Sequence, residues 1–226
     1  MNFKRRLKAL QTKMEEENVD LVIYGSCQNF QYITGITTNW RRWIDLNNPI
    51  DNVFIPIEGE PILTLTEQDE EEKQKTWIKE IKWISKEMRY EEKLREILSE
   101  IELKNNRIGI GDHIWGSTIT KVLRLKNNVE IVSAESFMDN IRMIKDEEEI
   151  KRLRRVAELT DKVMEKIILK IQEGITQREL EAEIELQGKI LGATDTSFPP
   201  TAGYVKKDSK PSPNPFTYPK DKGLTP

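Results

Sequence analysis

Residues 1 to about 136 read as an α/β domain, and residues 140–226 as the incomplete helical start of a second domain. Three observations lead there. In the first part, short apolar runs that end at turn residues alternate with amphipathic stretches. Beyond about residue 146 the pattern changes to one long stripe of helical period. Finally, seven of the ten prolines crowd between Pro199 and Pro226, and nothing there reads as a finished helix or closing strand.

Phe3, Leu7, Leu10 and Met14 recur every three to four residues and predict an amphipathic helix over 3–16. DLVIYG (20–25) is an apolar run ending at glycine, the pattern of a buried strand. SCQNFQYITG opens a short helix, with Ser26 or Asn29 as the cap. NVFIPI and PILTL flank a turn at Gly59 and predict a hairpin. IKWIS is a strand, Tyr90–Leu103 a helix with Leu94, Ile97, Leu98 and Ile101 on one face, and RIGIG a further strand. Ile114–Leu125 is a helix and VEIVSA the last strand of this part.

In the second part, Ile150, Leu153, Val156, Ala157, Met164, Ile167, Ile168 and Ile171 share one stripe, which predicts a helix from Glu147 to Ile171. Gly174 follows it as a C-terminal stop. Thr176 and Glu179 form a capping box for a helix that carries Leu180, Ile184 and Leu191 and stops at Gly192. TSFPPTAGYV reads as the first strand of a sheet. Two amphipathic helices and one strand are too few to bury both stripes, so further surface must cover them.

Composition excludes several classes. The net charge is -3 with both signs interleaved, so there is no basic face for nucleic acid. The single cysteine, Cys27, excludes a disulfide scaffold and fits a cytoplasmic address. The basic N-terminus lacks an apolar signal core, and no run of about 18 apolar residues predicts a membrane span. The single histidine, His113, excludes a His-Glu-x-x-His zinc site within the chain and leaves no catalytic triad with a nucleophile elbow. His113 is read as a structural or surface residue, and Cys27 as a buried small residue with no basic neighbour to activate it. GIGDHI (109–114) opens like a dinucleotide loop, but Ile114 stands where the third glycine belongs. The carboxylates of EQDEEEKQK (67–75) crowd consecutive positions, as on a solvated helix face, rather than converging on a metal.

The stretch from Asp139 to Phe198 resembles the beginning of the catalytic domain of the pita-bread metallopeptidases: aminopeptidase P, prolidase and the creatinases. The residues that carry the likeness are Ile141, Arg142, Ile144, Lys145, Glu149, Ile150, Leu153, Arg154, Ala157, Asp161, Gly174, Thr176, Leu180, Gly192, Ala193, Ser197 and Phe198. In the first part Arg6, Leu7, Met14, Asp20, Asn29, Tyr32, Thr34 and Gly35 resemble the creatinase-like N-terminal domain, whose Asn-x-x-Tyr-Leu-Thr-Gly signature here carries Ile33 in place of leucine.

The resemblance implies a fold and a function. The fold is α/β: a creatinase-like mixed sheet flanked by helices, followed by the helical start of an α+β pita-bread domain. The function is that of the N-terminal portion of an Xaa-Pro metallopeptidase acting on proline-containing peptides. The family's two divalent metals (manganese, cobalt or zinc) are held by five ligands downstream of a glycine turn that KDKGLTP resembles, so no metal or catalytic residue is expected in this chain. The loop after the Phe198 segment has no histidine where related peptidases carry one, a departure that puts substrate preference in question. The family's N-terminal domain mediates dimer contacts, which implies a homodimer. Its loop after Gly35 reaches a neighbouring active site, which makes Trp40, Arg41, Arg42 and Trp43 candidates for a substrate or subunit interface. Phe198 and Tyr204 are candidate groove-lining residues, with core packing the competing role for Phe198. The alternative is a non-catalytic dimerisation or interaction protein derived from that family.

Overall fold

Helix α1 (Phe3–Glu17) begins under an Asn2 cap, whose side chain accepts from the Arg5 amide, and buries Leu7, Leu10 and Met14 along one face. It belongs to a computed structural model that describes residues 2–36, 51–66, 76–85 and 89–203. The chain divides into two compact units, Met1–Ile144 and Lys145–Pro226.

The first unit is built on a six-stranded mixed sheet. Its strands are β1 (Leu21–Gly25), β2 (Asn52–Pro56), β3 (Ile62–Thr66), β4 (Glu80–Ile84), β5 (Arg107–Ile110) and β6 (Glu130–Ser133). Their order in space is β4-β3-β2-β1-β5-β6. The predicted hairpin forms: β2 and β3 are antiparallel, with Val53 opposite Leu63. β1 pairs antiparallel with β2 and parallel with β5, which pairs parallel with β6.

Alternation along the strands divides the core between the two sheet faces. Val22, Tyr24, Val53 and Ile55 point to the face covered by α1 and by α2 (Gln28–Thr34). Leu21, Ile23, Phe54 and Ile108 point to the other, covered by α3 (Tyr90–Glu100) and α4 (Gly116–Leu125). Both faces are dry, which is why β1 reads as an unbroken apolar run rather than an alternating one. After β6 come a 3-10 turn (Glu135–Met138) and a short helix α5 (Asp139–Met143), neither of which the hydrophobic pattern announced.

Three local expectations need correction. The N-cap of α2 is Cys27, without a side-chain cap bond, rather than Ser26 or Asn29. The Asn29 side chain is drawn instead to Asp112, as described below. The strand expected over 196–205 is absent from its described part, 196–203, where Pro199 and Pro200 have no N–H to give a ladder. The long helix of the second unit, α6 (Glu147–Ile168), ends three residues earlier than its apolar stripe.

In that unit α6 and α7 (Gln177–Ile190) each start at a full capping box, Asp146 with Glu149 and Thr176 with Glu179. Their shared core is Val163, Ile167 and Leu180, flanked by Leu159, Ile175, Ile184 and Leu191. The row 159/163/167 that meets α7 lies to one side of the predicted stripe. Leu153, Met164 and Ile168, toward its centre, and Val156, a turn before that row, remain exposed.

Candidate functional site

A polar depression lies at the carboxyl ends of β1, β5 and β6. It is an expected place for a site. The chain leaves β1 toward β2 on one side and leaves β5 toward β6 on the other, so the crevice lies where the strand order reverses. Gln28, Asn29, Asp112, Ser133, Glu135 and Arg142 line one lobe of about 450 Å³. Gly111 and His113 extend it into an adjoining lobe of about 480 Å³.

Close backbone approach fixes the floor. Gly25 donates its N–H to the Asp112 carbonyl at 3.1 Å, and a Cβ on Gly25 would fall 2.2 Å from the carbonyl oxygen of His113. His113 itself has φ +57°, so this turn is held in the left-handed region by a non-glycine residue. A Cβ on Gly111 would enter the Tyr24 ring at 2.0 Å. The glycines of GIGDHI therefore make room for side chains, Gly109 for those of Ala134 and Val22 and Gly111 for the Tyr24 ring, which agrees with rejecting a phosphate loop there.

Polar side chains tie this corner together. Buried Asn29 donates Nδ2 to the Asp112 carboxylate at 2.9 Å, while its Oδ1 accepts from the Arg142 guanidinium at 3.0 Å. The Tyr32 hydroxyl donates to the Ile141 carbonyl at 3.4 Å. The Arg6 guanidinium lies 3.7 Å over the Tyr32 ring and donates to the Tyr32 carbonyl at 2.9 Å. The Tyr24 hydroxyl donates to the Ala134 carbonyl at 3.0 Å, and burial, ahead of the nearby Asp112 charge, holds that phenol protonated far above the usual range. Burial likewise pushes the Cys27 thiol up to about 11, so it is not a thiolate nucleophile at neutral pH.

The chemistry here is that of binding and positioning. Among the described residues no group of three or more His, Cys, Asp or Glu side chains is placed to hold a metal ion. No described helix is long and apolar enough to cross a membrane. Of the sequence-predicted site residues, only Phe198 falls among the described residues. Trp40, Arg41, Arg42, Trp43 and Tyr204 lie outside the described residues, as do 67–75. Phe198 is in the second unit and 68 % exposed, so it does not fill a core within the described chain. The Asn29–Arg142 pair was missed because its members lie 113 residues apart. The only trace of it was that both belong to the family-like patterns.

A mixed α/β unit of this topology, joined to a second unit that opens with two capped helices, defines a two-part α/β protein. The model of the creatinase/prolidase N-terminal domain matches residues 6–144, and that of metallopeptidase family M24 matches residues 151–225. The chain thus belongs to the creatinase/prolidase family of pita-bread metallopeptidases. An Xaa-Pro dipeptidase of Pyrococcus furiosus is 25% identical over 196 residues, covering 87% of this chain and 51% of the relative. The Xaa-Pro dipeptidase of Pyrococcus horikoshii is also 25% identical, covering 85% of this chain and 50% of the relative. Among solved structures, a prolidase of Thermococcus sibiricus superimposes with TM-score 0.77 at 24% identity, over 89% of this chain and 53% of that one. The chain spans about half the length of these relatives. The described residues do not fit the metal that the M24 family name implies.

Proposed function

We propose that this chain is the N-terminal portion of an Xaa-Pro metallopeptidase, of the aminopeptidase P or prolidase kind, that hydrolyses peptide bonds involving proline. One observation carries the reading: the two family models follow each other in order, 6–144 and 151–225, on a chain matched over 87% of its length by an Xaa-Pro dipeptidase. In this proposal the first unit supplies dimer contacts and a substrate-side loop. The enzyme is a cytoplasmic homodimer that depends on two divalent ions (manganese, cobalt or zinc). Trp40, Arg41, Arg42 and Trp43 are assigned to that loop on residue type, because tryptophan and arginine dominate binding hot spots and arginine can grip a substrate carboxylate in a bidentate pair. Phe198 and Tyr204 are assigned to the substrate groove, and the exposure of Phe198 leaves its ring open to a ligand.

The test is to read the frame past the Pro226 codon, express the polypeptide it encodes and assay Xaa-Pro dipeptides and longer Xaa-Pro peptides. Expected is cleavage that a chelator abolishes and one of the three metals restores, with a weaker substrate affinity in Arg41→Ala and Arg42→Ala. A frame that stops at once, or a metal-loaded polypeptide that cleaves none of these peptides, overturns the proposal. The alternative reading, a non-catalytic dimerisation or interaction protein, would then stand. It is favoured by the exposed row Leu153, Val156, Met164 and Ile168.

A further inference from the structure

Helix α5 differs from the other described helices of the first unit: none of its residues is buried. The turn before it is firmly anchored, with Phe137 at 8% and Met138 at 0% exposure. After it, Met143 and Ile144 are largely exposed. Its ties to the unit include the Arg142–Asn29 bond, the Tyr32–Ile141 bond and the half-buried Ile141 side chain against the core. Asp139 and Arg142 also form one wall of the polar depression. A segment with few buried contacts and a polar fastening is the kind that opens locally, well below the cost of unfolding the domain.

We propose that α5 is a latch. It hinges between Met138 and Asp139, is fastened by Arg142 on Asn29 and by Tyr32 on the Ile141 carbonyl, and opens as one piece. Opening widens the depression and releases the chain that leads to Lys145. Asn29 suits the role because its buried amide is oriented from behind by the Asp112 carboxylate, so its carbonyl oxygen is presented to Arg142 without freedom to turn away. The Arg6 guanidinium stacked on Tyr32 holds the second fastening in the same manner. This inference is independent of the peptidase reading.

The test is hydrogen exchange, followed by mass spectrometry, on the whole 226-residue chain. In the unaltered protein the amides of residues 140–144 exchange ahead of those of α1 and β1. Arg142→Ala speeds them by about tenfold or more, the factor expected for losing a hydrogen bond to a charged group. Asn29→Ala, which also loses the bond to Asp112, does the same, and the double variant is about as fast as Asn29→Ala alone because that change already removes the Arg142 bond. Tyr32→Phe, which loses a hydroxyl and no packing, gives a smaller acceleration over the same amides and covers the case in which Asn29→Ala fails to fold. Unchanged exchange at 140–144 in Arg142→Ala and Tyr32→Phe overturns the proposal. So does an acceleration that spreads equally through β1 and β5, since Arg142 would then brace the whole unit.

Discussion

Asp20 is 1% exposed and immediately precedes β1. Its carboxylate accepts from the Asn105 amide at 2.9 Å, from the Asn105 side chain at 2.9 Å and from the Arg107 amide at 3.1 Å. It thereby pins the start of β5 to the start of β1, the central parallel pair of the sheet. A hydrogen bond to a charged acceptor is worth about 1.5–3 kcal/mol. Asn105 is exposed, so water replaces much of its share when the carboxylate is removed, whereas Arg107 is half-buried and its amide is left wanting. The expected cost of Asp20→Ala is about 3 kcal/mol, and Asp20→Asn, with one carbonyl acceptor left, recovers part of it. All five tryptophans lie at or before Trp115, so their fluorescence reports the first unit alone. With a urea dependence of about 2 kcal/mol per molar, the midpoint of that signal falls by about 1.5 M. A fall of less than about 0.3 M would show that the Asp20 contacts do not hold the sheet together, and the reasoning from them would fail.

Two further outcomes follow from the ionisable groups. The Lys93 and then the Lys82 ammonium hold the Glu96 carboxyl below its usual value of 4.5. A depressed carboxyl stabilises the fold above its unfolded pKa and loses that contribution as pH falls through the folded value. The advantage of the native chain over Glu96→Gln in Tm is therefore present at pH 7 and shrinks below about pH 4.5. It is no more than about 0.5 kcal/mol, because the side chain is 43% exposed and solvent-screened. An advantage that persists undiminished to pH 3 would contradict it. Cys27, buried and with its thiol raised to about 11, resists iodoacetamide at pH 8 in the folded chain and reacts readily in urea. Rapid complete labelling of the folded chain would refute the burial argument.

Much of the architecture was legible because local rules and tertiary demands agree. DLVIYG, the hairpin around Gly59 and both capping boxes are short-range patterns, each of which has one comfortable conformation, and each forms where its residues stand. The extent of α6 was misjudged for the opposite reason. An apolar stripe records which residues favour burial, whereas α7 covers only the flank through Val163 and Ile167. Of the strand expected over 196–205, the described residues 196–203 form none, and Pro199 and Pro200 lack the amides a ladder needs.

By itself the sequence determined the strands and the longer helices of the first unit and, through ordered motif residues, the family. Those depend on periodicity, capping and turn chemistry, which act within a few residues. Only the tertiary structure decided that Asn29 serves Arg142 and Asp112 rather than capping α2, that the GIGDHI glycines make room for Tyr24, Val22 and Ala134, and that α5 buries none of its residues. Those depend on which residues the β1-β5-β6 order brings together at one corner, and pairings across 83 or 113 residues leave no periodic trace along the chain.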